Sequence, residues 1–372
     1  MIYLDAAATT PVDEEVLNLY NKITTNYPGN VNSSHKLGLE AKAIYDDSLN
    51  TLSSLLNIPS NTITLTSGAT ESNTLAINGL IKAYPNRNKH IISTKTSHPS
   101  VTNLLNTLID YKITYLELNK DGRVDLNQIK DLLMEKPLLV SIPYIDSELG
   151  IIEDIEGISK LMKESNTFFH LDATQAFNKI NIDYTQADLI SWSPHKYFGP
   201  KGIGYLYVRP NLNIKPIFPA DNSLRGGTIP LPLVAASSLA SIKAVKDRDK
   251  FSVVELNNII IDKLSTYEDV VINNTVYSHP SFINISVLGI KSTTLVNAFS
   301  NNNICISARS ACSGEKQYSY SVLALTNDKD RASSSIRITL SKTTTKEEIN
   351  TFLQVFGKIY QDLKGDLTWK KY

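Results

Sequence analysis

Short apolar runs punctuate the first two thirds of the chain. Ile63–Thr66, His90–Ser93, Leu138–Pro143, Thr167–Leu171, Leu189–Trp192 and Tyr205–Val208 are rich in β-branched and aromatic residues and bounded by turn formers, so they read as strands. Between them Glu71–Ala83, Val101–Ile109, Leu126–Glu135 and Ile155–Glu164 carry apolar residues at helical spacing. This alternation predicts an α/β fold whose mostly parallel central sheet is covered on both faces. In such sheets ligands bind beyond the carboxyl ends of the strands. A helix over Leu233–Lys246 is expected to close this first unit. After Lys250 the pattern changes: Val270–Ile272, Phe282–Val287, Ile304–Ser307 and Ser335–Leu340 read as strands and Lys346–Gln361 as a helix. The expected division is a large α/β domain over 15–250, a smaller α+β C-terminal domain over 251–372, and an N-terminal arm, 1–14, that joins the smaller domain.

The length, 372 residues, supports two domains, since single cores stop growing near roughly 250–300 residues. Lysine plus arginine equals aspartate plus glutamate at 37 each, so nothing in the net charge points to direct nucleic-acid or membrane binding. No apolar run is long enough to span a bilayer. The opening MIYLDAAATTP lacks the form of a secretory signal, and two cysteines are too few for a disulfide framework. A cytoplasmic location with a reactive thiol is the expectation. No metal site is expected.

Candidate chemistry gathers at the predicted strand ends. Leu189–Trp192 runs into Ser193-Pro194-His195-Lys196 and a Gly/Pro-rich turn. A lysine held at such a corner, its amine partly desolvated, suits Schiff-base formation with an aldehyde cofactor; the alternative is a surface lysine beside a turn. Ile63–Thr66 runs into Ser67-Gly68-Ala69-Thr70 and a helix, either an anion site on free backbone N–H groups or an ordinary Ser/Thr cap. Asp172 ends its strand, where it suits pairing with a protonated ring nitrogen or capping a helix, and Gln175 can donate to a phenolic oxygen. His98, in a loop, can stack on a flat ring or shuttle protons. Cys312 lies in a run of small residues that suits a nucleophilic thiol, whereas Cys305 reads as a buried small hydrophobe. Arg337 alternates with apolar neighbours, so its fork can hold a substrate carboxylate or a structural ion pair.

The segments YLDAAATTP, GNVNSSHKLG, TSGATESNTLAI, HLDATQAF, SPHKYFGPKGIGYLYVR, RGGT, SACSG and SSIRITL, in this order, resemble the cysteine desulfurases of the NifS/IscS type, class V members of the fold-type I pyridoxal-phosphate enzymes. The resemblance spans Tyr3 to about Leu340. It implies pyridoxal 5'-phosphate on Lys196, with Asp172 at the ring nitrogen, His98 over the ring and Gln175 at the phenolic oxygen. Ala69, Thr70, Ser193 and His195 would hold the phosphate, and Thr228 would reach the phosphate of the partner subunit in a homodimer. Arg337 and Ser147 would meet the carboxylate of L-cysteine, with Lys196 moving protons and His98 helping to deprotonate a thiol. Cys312 would take the sulfur as a persulfide and pass it to a protein acceptor, either a tRNA-thiolation enzyme or an iron–sulfur scaffold. The family pattern Asn-Asn-Glu is Asp146-Ser147-Glu148 here, Phe218–Leu224 replaces a glycine-rich loop, and Arg309 replaces a small residue. A selenocysteine lyase is the enzyme alternative, and the Ser147 and loop departures motivate another, a weakly active sulfur-transfer scaffold.

Overall fold

The computed structural model describes residues 1–218, 223–248, 252–308 and 318–369. An extended arm carrying β1 (Ile2–Tyr3) leads into helices α1 (Glu14–Asn26) and α2 (Lys36–Leu56). Strands and helices then alternate: β2 (Ile63–Thr66), α3 (Ala69–Ala83), β3 (His90–Thr94), α4 (Pro99–Asn106), β4 (Lys112–Leu116), α5 (Leu126–Leu133), β5 (Leu139–Pro143), α6 (Ile155–Lys163) and β6 (Phe168–Asp172). Next come β7 (Leu189–Trp192), β8 (Gly204–Val208) and the long α7 (Leu231–Arg248). The remainder holds α8 (Val254–Leu264), β9 (Val270–Ile272), β10 (Phe282–Val287), α9 (Ser292–Asn301), β11 (Ile304–Cys305), α10 (Tyr320–Thr326), α11 (Lys329–Ser333), β12 (Ser335–Thr339) and α12 (Lys346–Trp369).

Seven strands form one sheet in the order β2-β8-β7-β6-β5-β3-β4. All pairings are parallel except those of β8, which runs antiparallel to both β2 and β7. The mostly parallel sheet is therefore as expected. Strand β4 was not legible, because it is an edge strand, half-exposed along most of its length, and mixes polar with apolar residues. The inner strands β3, β5, β7 and β8 are buried throughout, which is why none shows the regular apolar–polar alternation of a half-exposed strand.

A second core packs around the three-stranded antiparallel sheet β12-β10-β9 and α12, and Leu4 of the arm belongs to it. Leu4 N–H donates to Cys305 O at 2.9 Å and Leu4 O accepts from Thr339 N at 2.8 Å, which stitches the arm to this core. The run Ile304–Ser307 contributes only the two-residue β11, paired with β1, plus a bridge from Ser307 to Arg337. Cys305 is half-buried there, not the buried hydrophobe the sequence suggested, because β11 pairs only with the short, partly exposed β1.

The turn after β5 places two carboxylates inside the protein. Asp146 and Glu148 are each 3 % exposed. Asp146 accepts from the Glu148 and Leu149 N–H groups and from Ser321 Oγ, while Glu148 accepts from Ser319 Oγ and Ser321 N. Burial, with the nearby Glu148 charge, pushes the Asp146 carboxyl up to about 6. A raised carboxyl costs stability once it ionises: its contribution is complete below the unfolded value near 4 and is lost as pH rises through about 6. Asp146→Asn keeps the acceptor for the two backbone N–H groups and removes the charge. We expect the variant to gain up to about 3 kcal/mol over wild type at pH 8 and nothing at pH 4. Urea unfolding of both proteins across that range checks this; an equal difference at both pH values would refute it.

Candidate active site

The carboxyl end of β2 turns through Ser67 and Gly68 into α3. Gly68 is the cap and no side chain bonds the first N–H groups, so the ordinary Ser/Thr cap is not what forms. The first intrahelical bond near this end runs from Ser72 N to Gly68 O, leaving the N–H groups of Ala69, Thr70 and Glu71 directed outward at the positive end of a 15-residue helix. A Cβ on Gly68 would meet nothing within 4 Å, whereas one on Gly204 would fall 2.5 Å from the Gly68 carbonyl carbon. Glycine at 204 lets β8 back onto this turn while the space in front stays open. Glu71 closes the turn from behind, Oε2 accepting from Ser67 N at 2.7 Å and Oε1 from Arg225 Nε at 3.2 Å. Burial pushes Glu71 up, but these bonds outweigh it and hold the carboxyl below its ordinary range.

From β7 the chain passes to Ser193, His195 and Lys196. Lys196 is not a surface lysine: Nζ donates to Ala7 O at 2.7 Å and Ala8 O at 2.8 Å, so the arm clasps the amine. The clasp continues through Thr10 N to His195 O at 2.8 Å and Phe198 N to Thr10 Oγ1 at 2.6 Å. Phe198 sits at φ 65°, a left-handed conformation that costs roughly 1–2 kcal/mol in a side-chain-bearing residue and that these contacts sustain. Burial, aided by the Lys196 charge, drops His195 to about 4, so it is neutral at physiological pH. The Ser193 hydroxyl donates to Ile203 O at 2.8 Å.

Asp172, at the end of β6, is buried and both of its oxygens accept: Oδ1 from Thr174 N at 3.0 Å and Oδ2 from Asn73 Nδ2 at 2.8 Å. Gln175 donates to Ala7 O at 2.9 Å, and its buried Oε1 has no protein partner among the described residues. His98 caps α4 and accepts at Nδ1 from Ser100 N at 3.1 Å. Burial pushes the imidazole below its ordinary value against the pull of Asp172. Arg337, 1 % exposed, forms the ion pair that was one of its two readings. One arm of the fork pairs with Asp5 at 2.8 Å, the other donates to Ser147 O at 2.6 Å, and the buried Nε has no protein partner among the described residues.

One cavity of about 360 Å³ unites these groups. Its walls include Ala69, Thr70, His98, Ser147, Asp172, Gln175, Ser193, His195, Lys196 and Arg337. Thr228 is exposed and lies away from this wall, and Cys312, Arg309 and residues 219–222 of the altered loop lie outside the described residues. Sequence reasoning missed Asn73, Ser100, Glu71 and Arg225. Asn73 and Glu71 stand in a conspicuous segment, but nothing in a linear string says that helix α3 turns them toward Asp172 and Ser67. Among the described residues no group of three or more His, Cys, Asp and Glu side chains could hold a metal ion, and no helix is long and apolar enough to cross a membrane.

The donor set fits a flat phosphorylated ring bearing an aldehyde. An anion suits the open N-terminus of α3, an amine stands ready for the aldehyde, and a carboxylate faces the same space. Among the described residues, two buried polar atoms of the residues lining this cavity, Gln175 Oε1 and Arg337 Nε, have no hydrogen-bond partner.

Comparison with known proteins agrees with this geometry. Residues 2–229 match the family described as aminotransferase class-V. The chain is 36 % identical to a cysteine desulfurase IscS of Buchnera aphidicola, the alignment covering 98 % of this chain and 93 % of the relative. It is 34 % identical to the mitochondrial cysteine desulfurase of Drosophila melanogaster, over 94 % of this chain and 78 % of that one. Among solved structures it superposes on a NifS-like protein with a TM-score of 0.90 at 28 % identity, covering 98 % of this chain and 99 % of the other. It also matches SspA in complex with cysteine, with a TM-score of 0.80 at 27 % identity, over 93 % of this chain and all of that one.

Proposed function

This chain belongs to the class-V aminotransferase family, among its pyridoxal-phosphate-dependent cysteine desulfurases, and from that premise we propose that it moves the sulfur of L-cysteine onto Cys312, releases L-alanine and hands the sulfur to a protein acceptor. The observation that carries the reading is the convergence of Lys196, Asp172, His98 and Arg337, from four distant segments, on one cavity whose floor is the open end of α3.

When bound, pyridoxal phosphate supplies an electron sink for the pair left at the Cα of an amino acid, which weakens the Cβ–S bond. The rest is the work of the chain. The N–H groups of Ala69 and Thr70, the Thr70 hydroxyl, Ser193 and His195 hold the phosphate; Ser193 must turn its hydroxyl from Ile203 O to do so. Asp172 would pair with the ring nitrogen, Gln175 would meet the phenolic oxygen once its amide N–H turns from Ala7 O, and His98 would cover the ring. Lys196 would anchor the aldehyde, and its amine would then carry the proton taken from Cα. Arg337, in the cavity wall beside Ser147, orients the substrate carboxylate. The Cys312 thiolate forms the S–S bond as Cβ–S breaks, and the carbon keeps the electron pair and takes a proton. Cysteine plus thiol thereby gives alanine plus persulfide, and sulfur never passes free into water.

The proposal includes a homodimer in the cytoplasm. The exposure of Thr228, away from the cavity of its own protomer, supports its service to the partner's cofactor. The acceptor is read as a protein of tRNA thiolation or of iron–sulfur assembly. Single-turnover mixing with L-cysteine tests the reading: one alanine per active site is expected, with peptide masses placing the extra sulfur on Cys312. Sulfur on Cys305, or no alanine, would overturn it. Alanine formed from selenocysteine and not from cysteine would mark a selenocysteine lyase instead.

A further inference from the structure

A chain of hydrogen bonds behind the cavity decides what His98 presents to it. The Ser100 N–H donates to His98 Nδ1 at 3.1 Å, and Ser100 Oγ lies 2.9 Å from the same nitrogen. That hydroxyl accepts from Asn73 Nδ2 at 2.9 Å, and Asn73 Nδ2 also donates to Asp172 Oδ2 at 2.8 Å. A backbone N–H only donates, so Nδ1 is an acceptor. A neutral imidazole has one N–H, which must then be on Nε2. The amide is set in the same way, its nitrogen facing the Asp172 oxygen that accepts from it. Asn73 is completely buried on the inner face of α3, the helix whose open end forms the anion site.

We propose that Asn73 is a positioning residue that clamps Asp172 with one amide proton and, through Ser100, holds His98 with the other, so that His98 meets the cavity with an N–H and not with a lone pair. This rests on the roles given above to His98 and Asp172. It revises the expectation that His98 deprotonates a thiol, because Nε2 already carries a proton and Nδ1 is engaged. A neutral imidazole capping a helix N-terminus acts instead as a hydrogen-bond donor toward an electron-rich atom. The charged groups acting on His98 are Asp172 and Glu148, which favour imidazolium, and Lys196 and Arg337, which oppose it. Burial also favours the neutral ring.

The test is nitrogen-15 NMR of the cofactor-loaded protein labelled at histidine, with the His98 signals assigned by their loss in His98→Gln. Wild type is expected to show His98 protonated at Nε2. In Asn73→Leu, Asp172 loses an amide donor and the Ser100 hydroxyl loses the group that orients it. The titration midpoint of His98 is then expected to rise, with an Nδ1-protonated form becoming detectable. Ser100→Ala removes a donor to Nδ1 and is expected to raise the midpoint as well, so it decides the matter should Asn73→Leu fail to fold. A purely structural role for Asn73 would leave both signatures unmoved. An Nδ1-protonated wild type, or unchanged midpoint and tautomer in the folded variants, overturns the proposal. Undiminished alanine release by His98→Gln would undo the functional role of His98 and leave the tautomer measurement standing.

Discussion

Lys196→Ala is expected to purify without the yellow colour of an amine-bound pyridoxal phosphate and to lose turnover. Loss of its proton-transfer role alone should cost about 10²–10⁴ in rate. Loss of the anchoring amine adds to this. The fold should survive, because Ala7 O keeps its bond from Gln175 and the arm keeps its bonds to His195 and Phe198. The anion site at α3 is also untouched, so the cofactor should still bind, noncovalently. Absorption spectra of loaded wild type and variant, with single-turnover alanine release, check both parts. A variant that kept the band and released alanine within tenfold of wild type would show that another amine does the work.

The second large effect is expected from Arg337→Ala. Its guanidinium is almost fully buried and paired with Asp5, and it is the cation assigned to the carboxylate of cysteine. Removing one member of a buried, hydrogen-bonded charge pair typically costs about 2–5 kcal/mol. Taken in substrate binding, that is roughly 30-fold or more in kcat/KM. The loss should fall mainly on KM, because no cofactor-holding group changes and the colour should persist. Arg337→Lys restores the charge without the planar fork and should recover only part of the loss. Steady-state kinetics on cysteine for the three proteins decides this; an unchanged KM in Arg337→Ala would remove Arg337 from the substrate site and leave it as the partner of Asp5.

Much of this was legible in the sequence, for a physical reason. The buried strands β3, β5, β7 and β8 have no solvent-facing side, so apolar and β-branched residues cluster in each, and the functional groups follow at strand ends. Lys196, Asp172 and the turn at Gly68 were found in that way. Strand β4, half-exposed at the sheet edge, left no such mark. Neither did the contacts that complete the site. The Ala7 and Ala8 carbonyls on Lys196 lie 188 or more residues away along the chain, and Asn73 meets Asp172 across 99 residues. A backbone carbonyl carries no sequence signal, and an asparagine in a helix signals nothing until its facing partner is known. Arg337 shows the opposite case. Two readings were open from its alternating pattern; the fold shows the ion pair, with Asp5, and sets the same side chain in the cavity wall, where the carboxylate role is the one proposed.

The central claim is that the amine clasped by the arm is the one that holds the cofactor. Loading the protein with pyridoxal phosphate, reducing it with borohydride and mapping the modified peptide by mass tests this directly. The pyridoxyl mass is expected on Lys196 alone. Its appearance on Lys201, which lines the same cavity, or on any other lysine would contradict the account.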